Sequence, residues 1–178
     1  MKGTPRHYIL GLGSNLGERA DILGQAIRRL GGLPGVRILA ISKAVDSDPV
    51  GYADQPNFLN LCLAIDCEFN PDELLAQTLE IERQLGRERT ANRNGPRTLD
   101  IDLLFYEEGA WQSPTVTLPH PRWSSRSFVV IPLSNLLQDP ALAKVPAWTS
   151  LAAEVRSLSV GGQGLRAWQG PTPWSKTP

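Results

Sequence analysis

The chain has 178 residues, of which 41% are apolar and 20% are charged, the balance of one ordinary globular domain. Its 18 basic and 18 acidic side chains give a formal net charge of zero, so a broad electrostatic attraction to nucleic acid is not indicated. No apolar run approaches the ~20 residues of a membrane span, and the N-terminus has no signal-peptide core. We therefore expect a cytoplasmic protein with no membrane or nucleic-acid partner. We also expect it to be a monomer.

Strand and helix patterns alternate through residue 106. In chain order, the predicted elements are a strand at 7–13, a helix at 18–31, strands at 36–45 and 58–67, a helix at 70–86 and a strand at 99–106. Asn70, Pro71 and Glu73 are typical of a capped start of the second helix. The order predicts an α+β fold with a ferredoxin-like βαββαβ core, a mostly antiparallel sheet and helices on one face.

Loops and shorter elements complete the prediction. The remaining segments are loops at 46–56 and 87–97, turns at 112–122, one or two helical turns within 127–137, a short helix at 149–158 and an edge strand at 165–168. We assign residues 1–169 to a single domain and residues 170–178 to a flexible C-terminal tail. Cys62 and Cys67 fall on opposite faces of the third strand, which predicts two unpaired, packed side chains.

Asp100 and Asp102 are the strongest chemical signal. Two residues apart on a strand, they point to one face roughly 6–7 Å from each other, where their charges repel unless a cation intervenes. Magnesium prefers such oxygen ligands together with phosphate oxygens. A solvated pair on a surface strand is the alternative, but Arg87, Arg93 and Arg97 precede the pair and guanidinium groups bind phosphates bidentately. The combination predicts a magnesium and polyphosphate site.

Two further segments suggest ligand contacts. Phe58 and Asn60 share one strand face, where the ring can stack on a flat heterocycle and the amide can bond to its edge. A core phenylalanine and a strand-end amide are the alternative. His120 lies between two prolines on a rigid turn from which it can donate to a phosphate oxygen, although such a histidine is often structural.

Five sequence blocks together resemble the 6-hydroxymethyl-7,8-dihydropterin pyrophosphokinase family of folate biosynthesis. In family order they are GLGSNLG at 11–17, QPNFLN at 55–60, ERQLGR at 82–87, RNGPRTLDID at 93–102 and LPHPR at 118–122, followed by Arg126, Phe128, Pro132 and Leu133. The resemblance implies a ferredoxin-like fold with added elements. It also implies transfer of the β,γ-pyrophosphoryl unit of ATP to the pterin hydroxymethyl oxygen, with release of AMP.

The resemblance further implies roles for single residues. The catalytic set would be Arg87, Arg97, Asp100 and Asp102, with the two aspartates holding two Mg²⁺ ions. The nucleotide side would be formed by Glu82, Arg89, Leu103, Thr117, His120 and Arg126. The pterin would be bound by Ser47, Val50, Phe58, Asn60 and Phe128, with the two rings on either side of it.

Three positions depart from the family pattern. Asn94 stands where an aromatic residue often covers the pterin, Thr90 replaces a frequent lysine, and residues 45–48 read Val-Asp-Ser-Asp instead of an aromatic, a basic residue and threonine. These departures affect how tightly the pterin is expected to be held. They leave the expected reaction unchanged.

Other classes fit the sequence less well. Gly11-Leu-Gly13 follows a strand as a dinucleotide-binding turn would, but no chain of βαβ units follows. An RNA-binding module of ferredoxin-like fold lacks support, because there is no net positive charge and no stacking aromatics on adjacent strands. The intact aspartate pair and arginines argue against an inactive relative.

Overall fold

The computed structural model describes residues 4–87 and 95–174. Its strands and helices, in chain order, are β1 (Arg6–Ser14), α1 (Arg19–Gly31), β2 (Arg37–Ile41), β3 (Val45–Ser47), β4 (Phe58–Cys67), α2 (Pro71–Gln84), β5 (Asp100–Tyr106), β6 (Trp111–Gln112), β7 (Thr117–Leu118), α3 (Ser127–Leu136), α4 (Pro146–Ser157) and β8 (Leu165–Ala167). Two short 3₁₀ helices lie at Trp123–Ser125 and Pro140–Leu142.

The main sheet has the strand order β5-β1-β4-β3-β8, and β2 also pairs with β4. Each of these pairings is antiparallel. Taken together, β2 and β3 occupy the place of the second strand of a ferredoxin-like sheet, so the predicted α+β fold is confirmed. The strands β6 and β7 form a separate two-stranded sheet.

The predicted strand at 36–45 is two strands. Ser42 interrupts it, because its backbone N–H donates to the carbonyl of Cys62 at 2.9 Å and its hydroxyl accepts from the Cys62 N–H at 2.9 Å. Pairing with β4 resumes at Val45 and continues to Ser47, so part of the predicted loop at 46–56 belongs to the sheet.

The start of α2 follows from its sequence. The Asn70 side chain accepts from the Glu73 N–H at 3.0 Å, and the Glu73 carboxylate accepts from the Asn70 N–H at 2.8 Å. This reciprocal capping box satisfies two backbone donors at the helix end. The helix ends at Gln84, and Gly86 then adopts a positive φ of 84° that favours glycine.

Helices cover both faces of the sheet, whereas the sequence predicted one covered face. Apolar residues of α1 and α2 pack with Leu61 and Leu63 of β4, and those of α3 and α4 pack with Cys62 and Ala64 on the opposite face. A strand covered on both sides explains the continuous apolar run of β4. Cys62 and Cys67 are free, buried and on opposite faces, as predicted.

The C-terminal segment packs further than predicted. The edge strand β8 pairs with β3. Beyond it, Trp174 is 5% exposed within the cluster formed by α1 and α2, and Pro173 lies against Gly24 of α1. Trp174 is therefore anchored by the apolar area that its indole buries, although residues 170–173 are exposed, and the flexible tail stays a prediction. Across the described part of the chain, the helices are too short or too polar to cross a membrane.

Candidate active site

A cavity of about 310 Å³ lies over β1, β4 and β5, on the sheet face that α3 covers. Nine of the residues proposed from the sequence line it, namely Ser47, Val50, Phe58, Asn60, Arg97, Asp100, Asp102, Arg126 and Phe128. Gly51 and Ser125, which sequence reasoning did not place in the site, line it too, as do Asp48 and Arg122 from segments that it did consider. Charged groups and aromatic rings therefore share one space.

Two glycines of β1 form the floor of this cavity. A Cβ atom on Gly13 would lie 2.8 Å from the side-chain oxygen of Asn60, and one on Gly11 would lie 3.2 Å from a methyl group of Leu104. The distance from a Gly13 Cβ to the Asn60 oxygen would be shorter than the van der Waals contact of two nonbonded atoms. Asn60 can therefore keep its position only if residue 13 is glycine. The Gly-x-Gly pattern on a strand was the available sequence signal for this close approach.

The acidic end of the cavity is a cluster of carboxylates and guanidinium groups. Asp100 accepts from Arg87 at 2.6 Å through one oxygen and from Arg97 at 2.8 Å through the other. Asp102, on the same face of β5, accepts from Arg126 at 3.2 Å. Burial raises the pKa of Asp102, and the neighbouring Asp100 carboxylate raises it further.

This donor set fits magnesium. Both aspartates present oxygen ligands to one space, and a divalent cation would relieve the repulsion that raises the pKa of Asp102. Within residues 4–87 and 95–174, no group of three or more His, Cys, Asp or Glu side chains could hold a metal ion by itself. Two carboxylates suit a cation such as magnesium that takes its remaining ligands from phosphate and water.

The other end of the cavity is aromatic and amide-lined. Phe58 from β4 and Phe128 from α3 both contribute to its wall. The Asn60 side chain is 6% exposed, and its amide nitrogen donates to the Ser47 hydroxyl at 2.8 Å, which fixes the orientation of the amide. The Arg126 guanidinium lies 5.7 Å from the centre of the Phe128 ring.

The family model for 7,8-dihydro-6-hydroxymethylpterin-pyrophosphokinase (HPPK) matches residues 9–138. The chain belongs to the HPPK family.

Individual relatives agree with this membership. The 2-amino-4-hydroxy-6-hydroxymethyldihydropteridine pyrophosphokinase of Bacillus subtilis is 36% identical over 160 residues, which cover 90% of this chain and 89% of the relative. The proteins of the same name from Methylorubrum extorquens and Pseudomonas aeruginosa are 43% identical over 130 residues and 41% identical over 128 residues. These two matches cover 73% and 72% of this chain, and 82% and 78% of the relatives.

Solved structures support the fold. Two crystal structures of Plasmodium falciparum HPPK-DHPS match with TM-scores of 0.60 and 0.62 at 11% identity. The matches cover 86% and 93% of this chain but only 46% and 49% of the longer chains. The chain thus spans about half the length of these structures.

Glu82, a nucleotide-side residue in the HPPK resemblance, lies behind the cavity wall. Its side chain is buried, with one oxygen accepting from the Ile101 N–H at 2.7 Å and the other 2.6 Å from Arg87. Burial raises the pKa of Glu82 to about 7, although the Ile101 and Arg87 donors oppose this effect. Glu82 therefore joins α2 to β5 and orients Arg87, which in turn contacts Asp100.

The Glu82→Gln variant is expected to have a different pH dependence of stability. Folding raises the carboxyl pKa from 4.5 to about 7, so between these values the folded chain keeps a proton that the unfolded chain releases. The wild type therefore loses stability as the pH rises through this window, by about 3 kcal/mol, and the glutamine variant does not.

Urea unfolding at pH 4.5, 6 and 7.5 measures this difference. The control is Glu154→Gln, at an exposed position of α4. A difference between wild type and Glu82→Gln that stays constant over this pH range would contradict the raised pKa.

Three other predicted nucleotide-side residues, Leu103, Thr117 and His120, are not among the residues that line the cavity. Leu103 is buried in the cluster formed by α1 and α2, on the opposite face of the sheet. Thr117 is exposed and donates to Gln112 at 3.2 Å. His120 accepts from the Arg122 N–H at 3.1 Å, and burial lowers its pKa, which favours the neutral ring. Arg89 lies outside the described residues, as do Thr90, Arg93 and Asn94.

Asn15 is a residue that sequence reasoning missed. It is 1% exposed, its side-chain oxygen accepts from the Arg97 N–H at 2.8 Å, and its own N–H donates to the Arg97 carbonyl at 3.2 Å. Its amide nitrogen donates to Gln55 and to the carbonyl of Pro56, each at 3.0 Å. Asn15 therefore ties the backbone of Arg97 to the segment that leads into β4.

Proposed function

We propose that the cavity binds ATP and 6-hydroxymethyl-7,8-dihydropterin and that the chain transfers the β,γ-pyrophosphoryl group of ATP to the pterin hydroxymethyl oxygen in folate biosynthesis. The observation that carries this proposal is that one cavity joins an acidic end rich in arginine to an end lined by two rings and an amide. Membership of the HPPK family supports this choice of reaction and substrates.

The pterin would occupy the aromatic end. Phe58 and Phe128 would lie on either side of the flat ring system, and Asn60 would bond to its edge through its side-chain oxygen. Because Ser47 holds the Asn60 amide nitrogen, the amide is already oriented for this contact. Backbone groups near Val50 would bond to the remaining heteroatoms.

The triphosphate would lie at the acidic end. Asp100 and Asp102 would hold two Mg²⁺ ions, which when bound neutralise phosphate oxygens and stabilise the charge of the transferred group. Arg97 would hold phosphate oxygens directly, with Arg87 beside it through Asp100, and Arg126 would lie between the two ends of the cavity.

The proposed reaction balances as a single displacement. The hydroxymethyl oxygen forms a bond to the β-phosphorus, and the bond between that phosphorus and the oxygen bridging to the α-phosphate breaks. AMP leaves with this oxygen, and the hydroxyl proton passes to solvent. The chain's own residues would align the two reacting atoms and hold the charged oxygens.

The products test the proposal. Incubation with ATP, magnesium and the hydroxymethyl pterin is expected to yield AMP and the pterin diphosphate in equal amounts. A parallel sample with excess chelator is expected to yield neither product. ADP in place of AMP, or nucleotide turnover that does not depend on the pterin, would contradict pyrophosphoryl transfer.

The monomer expected from the sequence stays a prediction, which sedimentation of the same sample checks.

A further inference from the structure

An ion-pair cluster, formed by Asp46, Asp48, Arg19 and Arg166, lies beside the aromatic end of the cavity. Asp46 and Asp48 flank Ser47 on the strand β3 and just after it. Arg166 of β8 donates to Asp46 at 2.9 Å and to Asp48 at 2.6 Å, and Arg19 of α1 donates to Asp46 at 2.9 Å. One guanidinium group thus bridges the two aspartates on either side of a cavity-lining serine.

The backbone reinforces this link. Register pairs Asp46 with Arg166 and Ser47 with Leu165, and the Asp48 N–H donates to the Gly164 carbonyl at 2.9 Å. Gly164 has a φ of 73°, and a Cβ atom there would lie 2.9 Å from an Asp48 carboxylate oxygen. The close approach of the two segments therefore requires glycine at this position.

The cluster is ionic and partly open to solvent. Burial acts to raise the pKa of Asp46, but hydrogen bonds from Arg19, Arg166 and Asn57 outweigh it and hold the pKa below its usual value. The side chains of Arg166 and Asp48 are 50% and 58% exposed. Contacts of this kind weaken as salt is added, because counterions compete for and screen solvent-exposed charges.

The segment that this cluster holds reaches the cavity. Ser47, Asp48, Val50 and Gly51 line the space in which the pterin is proposed to bind, and Ser47 orients Asn60. Arg166 does not line the cavity. Its side chain donates to Asp46 and Asp48, on either side of the cavity-lining Ser47.

Residues 45–48 depart from the pattern expected of the family, and β8 lies beyond residues 9–138, which the family model matches. The departure introduces two negative charges, and the C-terminal strand supplies the positive charge that pairs with both.

We propose that β8 is a positioning element for the heterocycle end of the cavity and that Arg166 is its principal contact. By bridging Asp46 and Asp48, Arg166 fixes residues 47–51 in the conformation that closes around the ring system. The chain would therefore depend on its C-terminal strand for affinity toward the pterin. This inference rests on the proposed function, because it takes the ligand at this end to be the pterin.

The test is Arg166→Ala in the full chain. We expect the dissociation constant and KM for the hydroxymethyl pterin to rise roughly three- to tenfold, the scale of two partly exposed ion pairs, with kcat and the KM for ATP unchanged. Arg166→Lys, which keeps the charge, is expected to recover part of the affinity. Added sodium chloride should weaken pterin binding more in the wild type than in Arg166→Ala.

Two controls separate the outcomes. Arg156→Ala, at an exposed position of α4, should leave pterin binding unchanged. Phe58→Ala should weaken pterin binding strongly if the aromatic end is the pterin site. If Phe58→Ala has this effect and Arg166→Ala has none, or lowers kcat and both affinities together, the positioning role is wrong and the proposed function stands. If Phe58→Ala has no effect, the proposed pterin site is itself wrong.

Discussion

Replacement of Asp102 by alanine is expected to abolish measurable turnover, a loss of roughly 10³-fold or more, while the chain stays folded. The change removes one of the two proposed magnesium ligands from the acidic end of the cavity. It also removes a carboxylate whose pKa is raised by burial and by the neighbouring Asp100, so it relieves an unfavourable charge in the folded state. Activity and stability are therefore expected to respond differently.

AMP release and thermal unfolding, measured on the same preparation, check this expectation. Asp102→Asn should be almost as inactive, because an amide has the shape but not the charge of the carboxylate. Asp21→Asn, at an exposed position on α1, is the matched control and should behave as the wild type does. AMP release near the wild-type rate from Asp102→Ala would exclude the proposed two-metal arrangement.

Replacement of Arg97 by alanine is expected to lower kcat by roughly 10²–10³-fold and to change the pterin dissociation constant little. Arg97 contacts Asp100 at 2.8 Å, and Asn15 bonds to both the backbone N–H and the carbonyl of Arg97. Its guanidinium therefore has a defined place at the acidic end of the cavity. In the proposed arrangement, loss of this group would remove charge stabilisation from the phosphates and leave the contacts of the heterocycle in place.

Single-turnover kinetics and pterin titration separate these two effects. Arg97→Lys keeps the positive charge but loses the planar guanidinium, which can donate two parallel hydrogen bonds. It should therefore recover only part of the lost kcat. Arg28→Ala, on the exposed face of α1, serves as the control. A change confined to pterin affinity would move Arg97 from the phosphate end to the pterin end of the cavity.

The elements that were predicted best are those with a local sequence pattern. Asn70, Pro71 and Glu73 are typical of a helix start and predict that of α2, and an unbroken apolar run predicts β4. The helix α3 was predicted too short, because its sequence, SFVVIPLSNL, joins a β-branched run to Pro132. Packing of Val129, Val130 and Leu133 against the second face of the sheet overrides these local preferences.

The site residues likewise include some that the sequence could predict and some that it could not. The aspartate pair of β5, and Phe58 with Asn60 on β4, follow from the alternation of side chains along a strand. The same alternation places Leu103 on the face away from Asp102, which its assignment to the nucleotide side overlooked. Contacts between distant segments, such as Glu82 with Ile101, depend on tertiary packing and have no local signal in the sequence.

The two glycines of β1 limit where the shape of this cavity can vary. At Gly11 and Gly13 the central strand presents bare backbone to the ligand space, so this part of the wall has no rotamers to change. Side chains that can vary line the rest of the cavity, among them residues 47–51 and Phe128 of α3. A search for altered substrate range would therefore sample those two segments and leave the floor as it is.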